Sequence, residues 1–215
     1  MLYNYESEPV AKEVAVNMKS DAQRYGVVAR TMHWITALAV LVMLGSGLAA
    51  DRLAGDPAAE NILVFHVVTG IAVVALTLLR ILWWTFADRK PREPASMPPW
   101  QARAAKGVHL AFYAVILLMG SSGIAMIALS GAGTILFGQA PGPLPRFEEF
   151  VPRGPHGLLA WIMIGLIIVH VGAALYHQFV LKDRLLARMG IGRSIRDSSL
   201  TDGLPAHIGR HLPEQ

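Results

Sequence analysis

The chain has 215 residues, of which 53% are hydrophobic and 16% are charged, whereas an average soluble domain carries about 25% charged residues. This balance excludes an ordinary water-soluble monomer and favours a protein whose solvent is lipid. The lack of cysteine excludes disulfides, thiolate zinc sites, iron–sulfur clusters and covalent haem attachment through Cys-x-x-Cys-His. The net charge of +4 indicates either nucleic-acid binding or membrane topology, and the positions of the basic residues decide between them.

Four apolar segments are each long enough to cross a hydrocarbon layer of about 30 Å. They run over Thr31–Ala50, Ile62–Phe86, Gly107–Leu129 and His156–Leu181. The segment from Ser130 to Arg153 is rich in glycine and proline, which predicts a loop rather than a fifth span. The sequence therefore predicts an all-α membrane protein: a bundle of four transmembrane helices within residues 25–189, with tails over residues 1–24 and 190–215.

The distribution of lysine and arginine predicts the orientation of the bundle. Fifteen of the 19 basic residues lie before the first span, between the second and third spans, or after the fourth, whereas three lie in the other two loops. Cytoplasmic loops carry such an excess, so both termini are predicted to be cytoplasmic. The basic charge is then a topology signal, and we expect the lipid bilayer rather than nucleic acid as a partner.

Histidines are concentrated in or beside the spans, where ionisable residues are costly and usually functional. These are His33, His66, His109, His156, His170 and His177. His156 and His170 are 14 residues apart, so they share one helix face at two depths about 21 Å apart, and His177 continues the stripe. By depth, we expect His66 opposite His156 near the outer side and His33 opposite His170 near the inner side.

Histidines in separated pairs favour haem over zinc. Structural zinc prefers four ligands drawn together, whereas two imidazoles on opposite sides suit an iron held axially inside a four-helix bundle. Without cysteine such haems are non-covalent and b-type, and they carry single electrons. His109 is a competing ligand, a lining residue of a cytoplasmic-side site or a packing group, and the last two are favoured. Arg30 and Arg80 either pair with haem propionates or anchor the helix ends.

Several motifs together resemble the bacterial cytochrome b-561 family over about residues 22–190. They are Arg30-Thr31-Met32-His33-Trp34, His66 followed by Gly70 and Arg80, His109-Leu110-Ala111-Phe112-Tyr113, and the series His156, His170, His177 ending in Leu181-Lys182-Asp183. The resemblance implies a four-helix cytochrome of the bacterial inner membrane that holds two haem b groups. It also implies axial ligation by His33, His66, His156 and His170.

Within this family, the interval from His170 to His177 and the Lys182-Asp183 pair are most similar to superoxide oxidases, which pass electrons from periplasmic superoxide to ubiquinone. The resemblance implies that His177 and Lys182 contact the quinone, with His109 as a further candidate. The alternative is that His177 and Lys182 are an interfacial anchor pair.

The two outer loops carry three basic and five acidic residues, a net charge of −2, which leaves room for a donor other than an anion. One rival hypothesis is a haem b subunit that relays electrons between the quinone pool and a dehydrogenase or other periplasmic partner. Another is a non-redox metal-binding membrane protein.

Overall fold

A computed structural model describes residues 18–94, 97–183 and 185–192. Within these ranges the fold is all-helical and contains no strand. Most of the two predicted tails, namely residues 1–17 and 193–215, lies outside the described residues.

The four predicted spans are present as helices, and each helix begins before its predicted span. They are α1 (Val27–Arg52), α2 (Pro57–Leu82), α3 (Pro99–Ser130) and α5 (Arg153–Tyr176). Helices α2 and α5 each continue into a π-helical turn, over Trp83–Ala87 and His177–Leu181. With these turns, the four stretches contain 26 to 32 residues and are long and apolar enough to cross a membrane.

Local capping explains where helices begin and end. The Asp56 side chain accepts the backbone N–H of Ala58 at 2.7 Å, and Pro57 occupies the first helical position, so α2 starts before its apolar run. Gly131 ends α3 in the left-handed region, at φ 70°, which glycine adopts without strain. The predicted loop over 130–153 contains a short helix, α4 (Ala132–Leu136), and a 3₁₀ turn, neither of which can span a membrane.

The up-and-down connectivity gives the bundle two ends. We call the end formed by residues 53–56 and 131–152 the loop end, and the end formed by residues 18–26, 88–94, 182–183 and 185–192 the terminal end. At the terminal end the three segments are joined by hydrogen bonds. Arg188, in α6 (Leu185–Arg188), donates to the carbonyls of Gln23 at 2.7 Å and Arg92 at 2.6 Å.

The core of the bundle is small and lies midway along the helices. Val73, Val115, Ile116 and Met163 form its buried cluster. Large apolar side chains cover the outside instead: Leu38, Leu110 and Phe179 are 65% to 69% exposed. An apolar exterior around a thin core is expected where lipid surrounds the helices.

Candidate functional site

Two pairs of histidines face each other inside the bundle. The ring centres of His66 on α2 and His156 on α5 are 6.2 Å apart, with planes inclined at 70°. Those of His33 on α1 and His170 on α5 are 6.3 Å apart, with planes at 60°. The structure thus brings together the same partners that were expected from depth, while their role as ligands stays a prediction.

The spacing within each pair fits one metal ion between two imidazoles. A bond of about 2.0 Å from metal to nitrogen on each side, plus about 1.15 Å from each nitrogen to its ring centre, gives about 6.3 Å between centres. Both measured spacings match this value. Nitrogen ligands from opposite directions are also the donor set of a bis-histidine haem.

A cavity surrounds the pair at the loop end. Its volume is about 1130 Å³, and its lining includes His66, His156, Gly47, Gly123 and Met163. Pockets for small ligands usually measure about 300–1,000 Å³. The cavity therefore has room for a large cofactor with His66 and His156 in its walls.

The histidines at the loop end are oriented by serines that sequence analysis missed. Ser46 Oγ lies 3.0 Å from His66 Nδ1 and donates to the Met43 carbonyl at 3.1 Å. Ser122 Oγ likewise lies 3.0 Å from His156 Nδ1 and donates to the Met119 carbonyl at 2.9 Å. Because each hydroxyl proton is directed at a carbonyl, the serine oxygen accepts from Nδ1–H, and Nε2 is left free to bind a metal.

Two glycines allow these rings to approach the neighbouring helices. A Cβ added at Gly47 would lie 3.0 Å from His66 Cε1, and one added at Gly123 would lie 3.3 Å from His156 Cε1. Both distances are tighter than ordinary van der Waals contact. Gly47 and Gly123 therefore limit the position of the imidazoles. A Cβ added at Gly45, Gly165 or Gly172 would meet no atom of the described residues within 4 Å.

These paired features reflect an internal repeat of two helical hairpins. The segment Met43–Gly47 on α1 reads MLGSG, and Met119–Gly123 on α3 reads MGSSG. A histidine precedes each methionine by ten residues, His33 in the first hairpin and His109 in the second. On α2 and α5, the residues found 14 positions after His66 and His156 are Arg80 and His170. This repeat is the signal in the sequence that identifies Ser46 and Ser122.

The site at the terminal end differs between the two hairpins. In the first, Arg80 Nη1 lies 3.2 Å from His33 Nδ1. In the second, the rings of His109 and His170 are 5.3 Å apart, and Phe112 packs against His170 at 5.4 Å. The structure thus places His109 beside His170, next to the predicted haem ligands.

His177 and Lys182 lie further along, where α5 ends. His177 Nδ1 contacts the Asp183 carboxylate, and both side chains are largely buried. Lys182 is exposed and adopts φ 56°, which closes the π-helical turn. The structure therefore places His177 next to Asp183, while the ring contacts of His109 are with His170.

Cationic groups crowd the terminal end. Arg24 Nη2, Arg30 Nε and Arg80 Nε are buried and find no hydrogen-bond partner among the described residues. This is unusual for buried polar atoms and favours an anionic partner. Arg80 and Lys106 act with burial to lower the pKa of Lys90 from its ordinary value. Burial raises the pKa of the Tyr25 hydroxyl, whose ring packs on Trp84.

Comparison with known proteins agrees with this arrangement. The family model for prokaryotic cytochrome b561 matches residues 24–192. The chain is similar to cytochrome b561 homolog 2 of Escherichia coli, at 29% identity over 81% of this chain and 95% of the relative. It is also similar to cytochrome b562 of Cereibacter sphaeroides, at 34% over 74% and 90% of the two chains. The probable superoxide oxidase CybB of Yersinia pestis is 28% identical over 78% and 96%.

No solved structure matches the chain. The match to the family model nevertheless covers all four spans and all six histidines of the bundle. The chain therefore belongs to the prokaryotic cytochrome b561 family, whose members are bacterial membrane proteins that carry b-type haem and transfer electrons.

Proposed function

We propose that this protein is a di-haem b cytochrome of the bacterial inner membrane that oxidises superoxide on the periplasmic side and reduces ubiquinone near the cytoplasmic side. The observation that carries the proposal is the presence of two histidine pairs, each with a metal-compatible spacing, at two depths of one membrane bundle. The similarity to a probable superoxide oxidase supports the choice of donor. One haem would sit between His66 and His156, the other between His33 and His170.

The distribution of basic residues supports an orientation with the terminal end in the cytoplasm. Fifteen of the 19 lysines and arginines lie in the sequence segments before the first span, between the second and third spans or after the fourth, which the up-and-down topology assigns to the terminal end. Three lie in the two segments that it assigns to the loop end. Under the positive-inside rule the loop end faces the periplasm. His66 and His156 then lie towards the periplasm, and His33 and His170 towards the cytoplasm.

The two sites are placed for stepwise transfer along α5. His156 and His170 are 14 residues apart, which corresponds to about 21 Å along a helix. Met163 lies halfway between them and is buried in the core cluster. Bound haem would supply a one-electron carrier at each site.

Arg80 is suited to hold an anionic group once His33 binds a metal. A guanidinium only donates hydrogen bonds, so its contact with His33 Nδ1 requires that Nδ1 accepts and that Nε2 carries the proton. Metal binding through a neutral imidazole Nε2 requires the opposite tautomer and therefore the loss of this contact. Arg80, with a buried unpartnered Nε, would then be available to a haem propionate, as would Arg30.

His177 and Lys182 are the proposed quinone contacts. The Asp183 carboxylate accepts from His177 Nδ1–H, which fixes the ring, and in the imidazolium form Nε2–H would donate to a quinone carbonyl. Two superoxide anions give two electrons and leave as two molecules of O₂. One ubiquinone takes these electrons and two cytoplasmic protons to become ubiquinol, so the reaction balances.

A second candidate is favoured by the charge of the loop end. Arg153 pairs with Asp51 at 2.5 Å, and Arg146 lies 3.6 Å from Glu149. These pairs leave little positive potential to attract an anion. A relay that takes electrons from a periplasmic protein, or gives electrons to one, fits such a face better than a superoxide oxidase does.

The test is superoxide-driven quinone reduction by the purified protein in liposomes that contain ubiquinone. With an enzymatic superoxide source, we expect ubiquinol to form and the yield of hydrogen peroxide per superoxide to fall, because oxidation replaces dismutation. Ubiquinol formation no faster than in empty liposomes would favour the relay. A preparation without a dithionite-reducible haem spectrum would reject both the superoxide oxidase and the electron relay in favour of a non-redox membrane protein.

A further inference from the structure

We infer that His109 is a positioning residue for the haem at the terminal end: it accepts a hydrogen bond from the Nδ1–H of His170 and sets the reduction potential of that haem. This inference rests on the proposed function, because it takes His170 as an axial ligand. It assigns to His109 neither iron ligation nor quinone binding.

The rings of His109 and His170 lie closer together than those of the two facing pairs. A hydrogen bond of about 2.95 Å between two ring nitrogens, plus about 1.15 Å from each nitrogen to its ring centre, gives about 5.25 Å. The ring centres of His109 and His170 are 5.3 Å apart. The pairs suited to enclose a metal are about 1 Å wider, at 6.2 and 6.3 Å. This distance is too short for an iron between the rings and is compatible with a hydrogen bond between them. The rings lie edge to face in this structure, with planes at 89° and without that bond, so we infer that it forms when His170 binds iron.

The tautomer of His109 is determined by its own helix. Its Nδ1 lies 2.6 Å from the carbonyl oxygen of Ala105, one helical turn earlier. A carbonyl only accepts, so Nδ1 carries the proton, and Nε2 of the neutral ring presents a lone pair. His109 is thus held by its own helix as a hydrogen-bond acceptor.

His170 differs from the histidines at the loop end in the acceptor available to its Nδ1–H. A histidine that binds a metal through Nε2 normally donates its Nδ1–H to an acceptor. At the loop end, Ser46 Oγ accepts from His66 Nδ1–H, and Ser122 Oγ accepts from His156 Nδ1–H. Within the described ranges, no side-chain hydrogen bond reaches His170. The polar ring that contacts His170 from α3 is that of His109.

The internal repeat gives the same assignment. His109 is the counterpart of His33, and His170 is the counterpart of Arg80, on helices that pack as one hairpin. In the first hairpin the two equivalent residues contact each other directly, with Arg80 Nη1 3.2 Å from His33 Nδ1. The predicted axial pair, His33 with His170, joins one residue from each hairpin. His109 is then left in the supporting position beside its ligand.

The test is a redox titration of the purified holoprotein, read together with the electron paramagnetic resonance of the oxidised haems. We expect His109→Ala to keep both haems low-spin and to raise the midpoint potential of one of them. The reason is that an imidazole whose Nδ1–H lacks an acceptor donates less charge to ferric iron. The same shift should appear in the background of His66→Ala, which removes the haem at the loop end and identifies the affected one.

Two further variants separate positioning from a merely structural role. His109→Gln keeps a carbonyl oxygen that can accept from His170, so it should restore the potential towards the original value. Leu110→Ala alters the next residue, which is 69% exposed on the lipid side, and should change neither potential. An unchanged potential in His109→Ala, an equal shift in His109→Gln, or a high-spin haem in His109→Ala would each overturn the inference. Failure of the protein to bind any haem would instead reject the proposed function.

Discussion

The imidazole of His66 faces that of His156 across the bundle at 6.2 Å. Each ring is supported by a serine three residues after a methionine on the preceding membrane-spanning helix. The two halves of the chain thus build one site from equivalent parts. The site at the terminal end also uses equivalent positions of the two hairpins, but the residues there differ. They are His33 and Arg80 in the first hairpin and His109 and His170 in the second. The helical hairpin is therefore the structural unit, and the departures from symmetry identify where the two sites have different tasks.

Removal of one histidine from each pair tests the assignment of two separate haem sites. We expect His66→Ala and His170→Ala each to reduce the haem content from two per chain to one, since iron loses an axial ligand and its anchor. The double variant should contain none. Haem per protein, measured by absorption after extraction, gives the count, and His177→Ala serves as a control that should retain both haems. Retention of two low-spin haems in His66→Ala would show that the pair at the loop end is wrongly assigned.

The serines should tune the haem at the loop end unequally. Ser46→Ala removes the side chain that accepts from His66 Nδ1–H within the described part of the chain, so the midpoint potential of that haem should rise. Ser122→Ala should have a smaller effect, because His156 Nδ1 also lies 3.2 Å from the Met119 carbonyl, which can take over the hydrogen bond. Potentiometric titration measures both shifts. Ser121→Ala is the matched control, since Ser121 is exposed and donates to the Leu117 carbonyl of its own helix. An effect of Ser122→Ala as large as that of Ser46→Ala would contradict this account.

Gly47 and Gly45 provide a comparison between a glycine that positions His66 and one that does not. Gly47→Ala places a methyl group 3.0 Å from His66 Cε1, the ring atom between the two nitrogens, and so turns Nε2 away from the cavity. We expect a loss of low-spin haem at the loop end. Gly45→Ala meets nothing within 4 Å, and it should leave the spectrum unchanged while stabilising the helix by about 0.5–1 kcal/mol. Absorption spectra of the reduced proteins distinguish these outcomes, and identical spectra for the two variants would argue against a steric role for Gly47.

Hydropathy and depth predicted the fold and the partners in each histidine pair, because lipid imposes spans of nearly fixed length on the chain. The residues at which the helices begin were harder to predict from the sequence. α2 begins at Pro57 rather than Ile62, since the cap at Asp56 and the polar first turn extend the helix beyond the apolar segment. Likewise, the glycines at 131 and 133 predicted a loop, but Gly131 provides the turn between α3 and the short helix α4.

The supporting residues could not be found from depth alone. Whether His109 faces His170 or lipid depends on the rotation of α3 about its axis, which is determined by packing against α2 and α5. Ser46 and Ser122 were overlooked because a single serine in a span usually bonds to its own helix. Comparison of the two hairpins would have identified them, since both serines occur in the same M-x-x-S-G pattern at equal distance from a histidine.

Asp88 connects the start of the described chain to the end of α2, and its charge should matter for stability. Its carboxylate accepts from the Ser20 hydroxyl at 2.8 Å, from the Ser20 backbone N–H at 3.1 Å and from Trp83 Nε1 at 3.3 Å. Asp88→Asn replaces one acceptor oxygen with a donor that faces these N–H groups. We therefore expect the free energy of unfolding to fall by about 1–3 kcal/mol. The midpoint temperature of unfolding in detergent measures the loss.

Glu149→Gln is the matched control for Asp88→Asn. It breaks the exposed pair with Arg146 at the loop end, and exposed ion pairs contribute only about 0–1 kcal/mol. The unfolding temperature should therefore fall clearly in Asp88→Asn and hardly at all in Glu149→Gln. Because the hydroxyl of Ser20 also accepts the backbone N–H of Gly26 at 3.0 Å, just before α1, Ser20→Ala should destabilise the same contact to a smaller extent. Equal unfolding temperatures for all three variants would mean that residues 18–26 do not stabilise the terminal end.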